Sequence, residues 1–348
     1  MNESVHRQLG DLYQELSPDF KQLFVVPTIR PDQKNTDYLY QLYRPFIEQK
    51  ESLSVQSLSI WGHYRLLLAA FNQPQTTILH YHWLEFQYWY AFFGMLWKLF
   101  CLSIFKLSGG HIVWTVHNRL PHDRKYLTGN IWLKRWMARF ADRIHVHCEY
   151  AANDVVRFLK TERSKVRIIP HPLFPADIKD KDKARRIISD KYNLSLPASS
   201  SYKKQLFLMF GGIAIYKQIE EIIPLFENLS DGFRLLIAGQ IKHGNQEYGQ
   251  QIKQLTSRTK QAHLLNRRFN DEEVLLLFSA ADYVIINNRT LYDSGVARLA
   301  LSYQTPLIAP NKGCLKHMEG KSNLQLFDDN NELAGILHQI DEQNRASE

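Results

Sequence analysis

Cysteine is scarce and scattered. Cys101, Cys148 and Cys314 are the only three in 348 residues, too far apart to read as a disulfide framework or a zinc knuckle. The N-terminus, MNESVHRQLG, lacks the basic, apolar and small-residue series of a signal peptide, so the expected setting is cytosolic. There is no low-complexity tract and no visible internal repeat. No GxGxxG follows the first apolar run, which disfavours a nicotinamide dehydrogenase, and there is no Walker loop. No zinc finger, RNP pattern or continuous arginine-rich arm accompanies the positive charge, so nucleic acid is not an expected partner.

What is present is an ordinary globular balance, 45% hydrophobic and 22% charged, in a chain long enough for two domains. The net charge of +8 is uneven. Residues 1–175 hold 21 Lys and Arg against 14 Asp and Glu, so seven of the eight excess charges lie in the first half. An anionic membrane or an anionic substrate fits that bias.

Short apolar runs alternate with helix-like stretches throughout, as in an open parallel α/β sheet. In the first half the expected strands are Leu23–Pro27, Val55–Ser59, Thr76–His80, His111–Val116, Arg143–His147 and Val166–Ile169. In the second they are Leu206–Phe210, Phe233–Ala238, Ala262–Leu265, Tyr283–Ile286 and Thr305–Ala309, with a helix over Tyr216–Leu229 and a closing helix over Leu333–Gln343. The polar stretch Asp177–Lys204 reads as the boundary. The expected domains are therefore 1–180 and 203–330, with 331–348 a C-terminal helix able to pack back on the first domain.

Residues 86–107, FQYWYAFFGMLWKLFCLSIFKL, carry nine aromatics and two lysines, Lys98 and Lys106. The lysines interrupt the roughly twenty apolar residues that a spanning helix needs. A helix lying in the membrane surface, aromatic on one side and basic near the headgroups, fits the composition. So does a core or dimer helix.

The candidate chemistry gathers at strand ends, where α/β sheets place ligands. QLFLMF ends in Gly211 and Gly212, and Lys217 follows six residues after Gly211. Strand, paired glycines and helix suit a phosphate held at a helix N-terminus, with the lysine reaching the same anion. Ser294 and Gly295, before the helix VARLALS, form a second such cradle, with Asp293 able to accept from sugar hydroxyls and Arg298 a turn away. Gly239 marks another strand-end turn, and Arg267 and Arg268 another. In the first half His80 and His82 flank Tyr81, two apart and so on one face of a strand. His117 and Asn118 end the next strand, with His122 and Asp123 in the loop beyond. His145, His147 and Cys148 invite a metal reading, but a strand terminus and helix cap is simpler, and no tight ligand spacing points to metal.

Taken together, these segments resemble a glycosyltransferase of the GT-B architecture, closest to family 4. The resemblance covers most of the chain and is stronger in the second half. The strand, the glycine pair and Lys217 resemble the family's G-R-L-x-x-x-K segment, with Gly212 in place of the usual arginine. RLLIAG (Arg234–Gly239) resembles the next strand and turn. LLNRRFNDEEVLLLFSAADYVI, with Arg268, resembles the stretch near the nucleotide base, and LALSYQTPLIAP resembles E-A-M-A-x-G-x-P-V-I-A. Leu291 and Leu299 stand where the family has its two glutamates, with Asp293 near the first. LHYHW and WTVHN resemble segments of bacterial enzymes that build exopolysaccharides or lipid-linked oligosaccharides.

The resemblance implies a GT-B fold, two Rossmann-like domains with open parallel sheets facing across a cleft. It implies transfer of a sugar from a GDP- or UDP-sugar donor to a saccharide or lipid-linked acceptor, with no metal and no tightly bound cofactor. The expected setting is the inner face of the cytoplasmic membrane, with the protein peripheral on an anionic surface. The assigned residues are His82, His117 and Asp293 for catalysis, and Gly211, Gly212, Lys217, Gly239, Arg268, Ser294 and Gly295 for the donor. His82 matches the family histidine beside the transferred sugar. A sugar-nucleotide epimerase, or a non-catalytic membrane-associated sugar-nucleotide binder, is the alternative. The stereochemical outcome is left open.

Overall fold

The computed structural model describes residues 2–49, 53–86, 91–120, 126–196, 204–318 and 323–346. The chain divides into two compact units, Met1–Pro172 and Leu173–Glu348.

The first unit runs α1 (Asn2–Leu16), β1 (Gln22–Val26), α2 (Tyr38–Glu48), β2 (Ser54–Ser57), α3 (Tyr64–Asn72), β3 (Thr77–Tyr81), α4 (Ala91–Leu107), β4 (His111–Thr115), α5 (Leu127–Phe140), β5 (Arg143–Val146), α6 (Glu149–Leu159) and β6 (Val166–Ile168). Its six strands lie parallel in the order β2-β1-β3-β4-β5-β6. Helices cover both faces of such a sheet, so its central strands are near-continuous apolar runs. LFVV of β1 and all of β3 are buried accordingly. The first sheet turns back on itself at β1, between β2 and β3, and ligands bind outside strand ends at such a point. Asp37 starts α2 there by accepting from the Leu39 and Tyr40 amides.

The second unit runs α7 (Lys181–Tyr192), β7 (Leu206–Phe210), α8 (Ile219–Ile222), β8 (Arg234–Ala238), α9 (Gln246–Arg258), β9 (Ala262–Leu265), α10 (Asp271–Ala280), β10 (Tyr283–Ile285), α11 (Gly295–Ser302), β11 (Leu307–Pro310), β12 (Leu324–Phe327) and α12 (Asn330–Ala346). The strand order is β12-β11-β10-β7-β8-β9, again parallel, with the reversal between β7 and β10. The stretch expected as a linker contains α7. Ala184 and Ile188 of that helix join the core of the second unit with Val274, Leu277 and Phe278 of α10. The C-terminal helix α12 buries Leu333, Leu337 and Ile340 in the core of this same unit.

One helix expectation fails. In place of a continuous helix over Tyr216–Leu229 there is a 3-10 turn (Ile215–Lys217), then the single α turn of α8, then a second 3-10 stretch (Ile223–Asn228). Pro224 lies at the start of that second stretch. A proline supplies no amide to the α-helical ladder and clashes with the preceding turn, so the α turn stops there.

Within residues 86–107, positions 87–90 lie outside the described residues, Trp89 among them. The rest forms α4, which packs against α3. Met95, Cys101, Leu102 and Phe105 are buried, while Phe92, Phe93, Leu96 and Phe100 are exposed. The neighbouring Trp61, Tyr64, Leu68 and Phe71 are exposed too. Among the described residues no helix is long and apolar enough to cross a membrane.

Candidate active site

At the sheet reversal of the second unit, β7 ends in Gly211 at φ +92°, in the left-handed region that favours glycine. A Cβ there would lie 3.2 Å from Lys217 Nζ and 3.7 Å from Val296 Cγ2, so Gly211 sits between the lysine and the first turn of α11. Two stretches some eighty residues apart, the glycine bend and the start of α11, thus meet at one strand end. Gly239 completes the floor: its own Cβ would fall 2.1 Å from the Gly211 carbonyl oxygen, so only glycine lets β8 approach β7 there. Gly212 is crossed by the Lys242 side chain, whose Cε would lie 2.8 Å from an added Cβ.

Lys217 is buried and donates to the Phe210 carbonyl at 2.5 Å. Burial pushes its ammonium down to about 7, and the charge on Lys242 adds to the effect. Lys242 itself lies over the Tyr216 ring, 5.1 Å from its centroid. The cradle differs from the expected one. Because the residues after Gly212 form a 3-10 turn, the available helix N-terminus is that of α11, not one following the glycine pair. Ser294 caps α11 by accepting from the Ala297 amide at 3.3 Å, and Gly295 has open space where a side chain would be. Asp293 is buried and engaged: its oxygens accept from Arg298 Nε at 3.2 Å, from the second guanidinium nitrogen at 2.9 Å, and from the Ser294 amide at 2.8 Å. This pair orders the loop into α11. Arg268 is exposed beyond β9, next to Arg267, which pairs with Glu273 at 3.1 Å. Leu291 and Leu299, at the positions of the family glutamates, are buried and apolar.

The strand ends of the first unit carry a cluster that the sequence showed only in part. His80 and His82 stack at 4.6 Å, and His82 Nδ1 lies 2.9 Å from His117 Nε2. His82 Nε2 meets the Tyr43 hydroxyl at 2.7 Å, so both its nitrogens are occupied and the ring is sealed. His117 is the half-buried end of the pair, stacked on the Trp83 ring at 4.3 Å and 9°. Burial holds His80, His82 and His117 well below the usual imidazole range, and their mutual proximity adds to it. His145 is pushed to about 3 by the same burial, with His147 beside it. Tyr38 packs against His82, His117, His147 and His171. The loop that carries Trp83 is pinned by α5: Lys134 donates to Glu85 and to the Asn118 carbonyl, both at 2.8 Å, and Asn130 bonds both backbone groups of Phe86.

His122 and Asp123 lie outside the described residues. Among the described residues no group of three or more His, Cys, Asp or Glu side chains is placed to hold a metal ion. Tyr13, Tyr43 and Thr115 were not singled out from the sequence. Thr115 and His117 share a strand face at spacing two, as His145 and His147 do, and this is the one signal that could have found the cluster. Tyr13 and Tyr43 arrive from α1 and α2 and carry no spacing signal.

Residues 7–175 match the model of Glycosyltransferase Family 4. HepE of Anabaena, solved with UDP-glucose, superposes with a TM-score of 0.66 at 13% identity, covering 93% of this chain and 91% of that one. This chain is a GT-B fold glycosyltransferase related to Glycosyltransferase Family 4. Sucrose-phosphate synthase of Thermosynechococcus elongatus gives a TM-score of 0.65 at 14% identity, over 98% of this chain and 83% of that one. A glycosyltransferase of Rickettsia africae gives 0.59 at 14%, over 92% and 88%. At such identities the structural likeness is one of fold. No curated protein matches the chain by sequence. The family match falls on the first unit, whereas the motif resemblance is stronger in the second.

Proposed function

We propose that this glycosyltransferase moves a sugar from a nucleoside diphosphate donor, UDP- or GDP-linked, to a saccharide or lipid-linked acceptor in cell-surface glycan synthesis, with the protein peripheral on the inner face of the cytoplasmic membrane. The observation that carries the donor assignment is the meeting of Gly211, Lys217 and the α11 N-terminus at the sheet reversal of the second unit. As the glycosidic bond breaks, negative charge grows on the diphosphate. The Lys217 ammonium and the first amides of α11, at Gly295 and beyond, stabilise that charge in a dry site. Gly211 lets the phosphates approach the backbone, Gly239 lets β8 close onto the Gly211 carbonyl, Gly212 leaves room for the Lys242 side chain beside them, and Ser294 fixes the start of the helix. Asp293 works through Arg298 by holding this loop, and Arg268 stands beside the base.

The first unit is assigned the acceptor. His117 is its accessible imidazole and is given a sugar hydroxyl, while His82 supports it from behind. The solved relatives bound to UDP or UDP-glucose favour a uridine donor. The exposed apolar face of α3 and α4, on the half that holds seven of the eight excess positive charges, supports contact with an anionic membrane.

A thermal-shift screen of nucleotide sugars tests the donor site. One UDP- or GDP-sugar is expected to raise the melting temperature. Lys217→Ala is expected to weaken that ligand roughly 10- to 100-fold through the lost charge-assisted contact. An unchanged shift in Lys217→Ala removes the assignment. Turnover of the same donor with and without a lipid-linked acceptor separates transfer from epimerisation or mere binding.

A further inference from the structure

The paired glycines of the bend after β7 leave a space that another segment fills. The loop after β8 is fastened to this bend along its backbone. Ile213 and Ile241 pair as a parallel bridge, the Ile213 amide donates to the Gln240 carbonyl at 2.9 Å, and the Lys242 amide donates to the Ile213 carbonyl at 3.0 Å. Buried Asn245 ties the loop again, its side-chain oxygen accepting from the Ile215 amide at 3.1 Å. The Lys242 backbone is therefore held beside Gly212, while its side chain is exposed. A Cβ on Gly212 would lie 2.8 Å from Lys242 Cε, 3.1 Å from Cγ and 3.4 Å from Cδ, so the lysine stem stands where a side chain at position 212 would go. Gly212 is not in the left-handed region, so the close approach of Lys242, and not backbone strain, is what calls for glycine there.

Lys217 reaches the same bend, its Nζ 3.2 Å from where a Cβ on Gly211 would be. Two ammonium groups thus converge on adjacent glycines, and among the described residues neither pairs with a carboxylate. Like charges held near each other with no acid between them are unfavourable, and an anion seated on the bend relieves both. The Lys242 head rests meanwhile on Tyr216, 5.1 Å from the ring centroid and 3.4 Å from the hydroxyl. That perch is weaker than a charge-assisted bond to phosphate, and the flexible four-carbon stem lets the head leave it. We propose that Lys242 is the second cation of the donor site, its ammonium moving from the Tyr216 ring to the diphosphate seated at Gly211 and Gly212. This rests on the donor reading above and adds to it a residue from outside the segment that carries Lys217. Buried Lys217 meets the diphosphate from within the fold. Exposed Lys242 covers it from the solvent side and shares the negative charge that grows as the glycosidic bond breaks.

The test is calorimetric titration of the full-length protein with UDP and with GDP below pH 7, where Lys217 is charged, taking the tighter of the two. Lys242→Ala should weaken that nucleotide about 10-fold, the loss of one charge-assisted contact. Lys242→Arg, which keeps the charge, should recover most of the affinity. Because position 212 faces the Lys242 stem, Gly212→Lys should also restore binding in the Lys242→Ala background, returning the charge from the other strand end. Lys242 is exposed, so its replacement should leave the fold intact. Wild-type affinity in Lys242→Ala beside weak binding in Lys217→Ala overturns the proposal and leaves the donor site standing. A loss in Lys242→Ala that neither Lys242→Arg nor Gly212→Lys recovers overturns it as well, since the charge is then not what binds. If neither nucleotide binds, or neither single variant weakens it, the donor assignment falls and this proposal with it.

Discussion

Lys217 combines burial with a charge that the proposed chemistry needs. Its ammonium is pushed to about 7, so the free protein holds it mostly neutral above that pH. A bound diphosphate favours the charged form and raises the value, and binding above pH 7 therefore takes up a proton. The sign follows: affinity for a nucleotide sugar, whose diphosphate keeps its charge, is greatest below about 7 and falls by up to about tenfold per pH unit above it. Calorimetry in buffers of different ionisation heat checks this, and absence of proton uptake at pH 8 would count against Lys217 as the phosphate partner. The Asp293–Arg298 pair makes a separate residue-scale prediction. Both side chains are buried, so removing one leaves the other uncompensated. Asp293→Ala should cost about 3–5 kcal/mol in denaturant melts, and pairing Asp293→Leu with Arg298→Met should recover much of it. Equal losses in the single and double variants would show that the ion pair is not what holds this loop.

Among the elements, α3 and α4 carry an unusual surface. Trp61, Phe71 and Phe93 are 80%, 82% and 65% exposed, far from the burial such side chains find in a core. Replacing Trp61, Phe71 and Phe93 by serine should reduce co-sedimentation with anionic vesicles while leaving the melting temperature within a few degrees, because these side chains bury little in the fold. Unchanged sedimentation would assign the face to protein contact. The aromatic content of this segment was visible in the sequence. The contribution of Trp61 and Phe71 was not, because it depends on α3 lying beside α4. Elsewhere, eleven short apolar runs announced their strands, since a doubly covered parallel sheet demands continuous apolar sequence. The twelfth, Leu324–Phe327, is a four-residue edge strand with only Phe327 buried, too little signal to separate from a loop. Pro224 was equally visible, but the apolar stripe around it read as a continuous helix.

For the molecule as a whole, each sheet reverses at one place, and Gly211, Lys217, Ser294 and Gly295 in the second unit and His82 in the first lie there, with Arg268 farther out beyond β9 and His117 one strand over, at the end of β4. In the second unit the sequence indicated Gly211, Lys217, Gly239, Ser294 and Gly295 as strand-end residues. That Gly211 lies between Lys217 and Val296 follows from β10 lying next to β7, an order that local periodicity does not encode. In the first unit His82 and His117 were legible from their positions, yet their ranking was not. Only the packing of α1 and α2 buries His82 behind Tyr43 and leaves His117 accessible. The proposed donor site places the diphosphate at the reversal of the second sheet. The most direct measurement is a structure of the protein with its best-bound nucleotide sugar. The diphosphate is expected beside Gly211, within hydrogen-bond distance of Lys217 Nζ and the Gly295 end of α11. A diphosphate bound to the first unit, or away from β7 and α11 in the second, would contradict it.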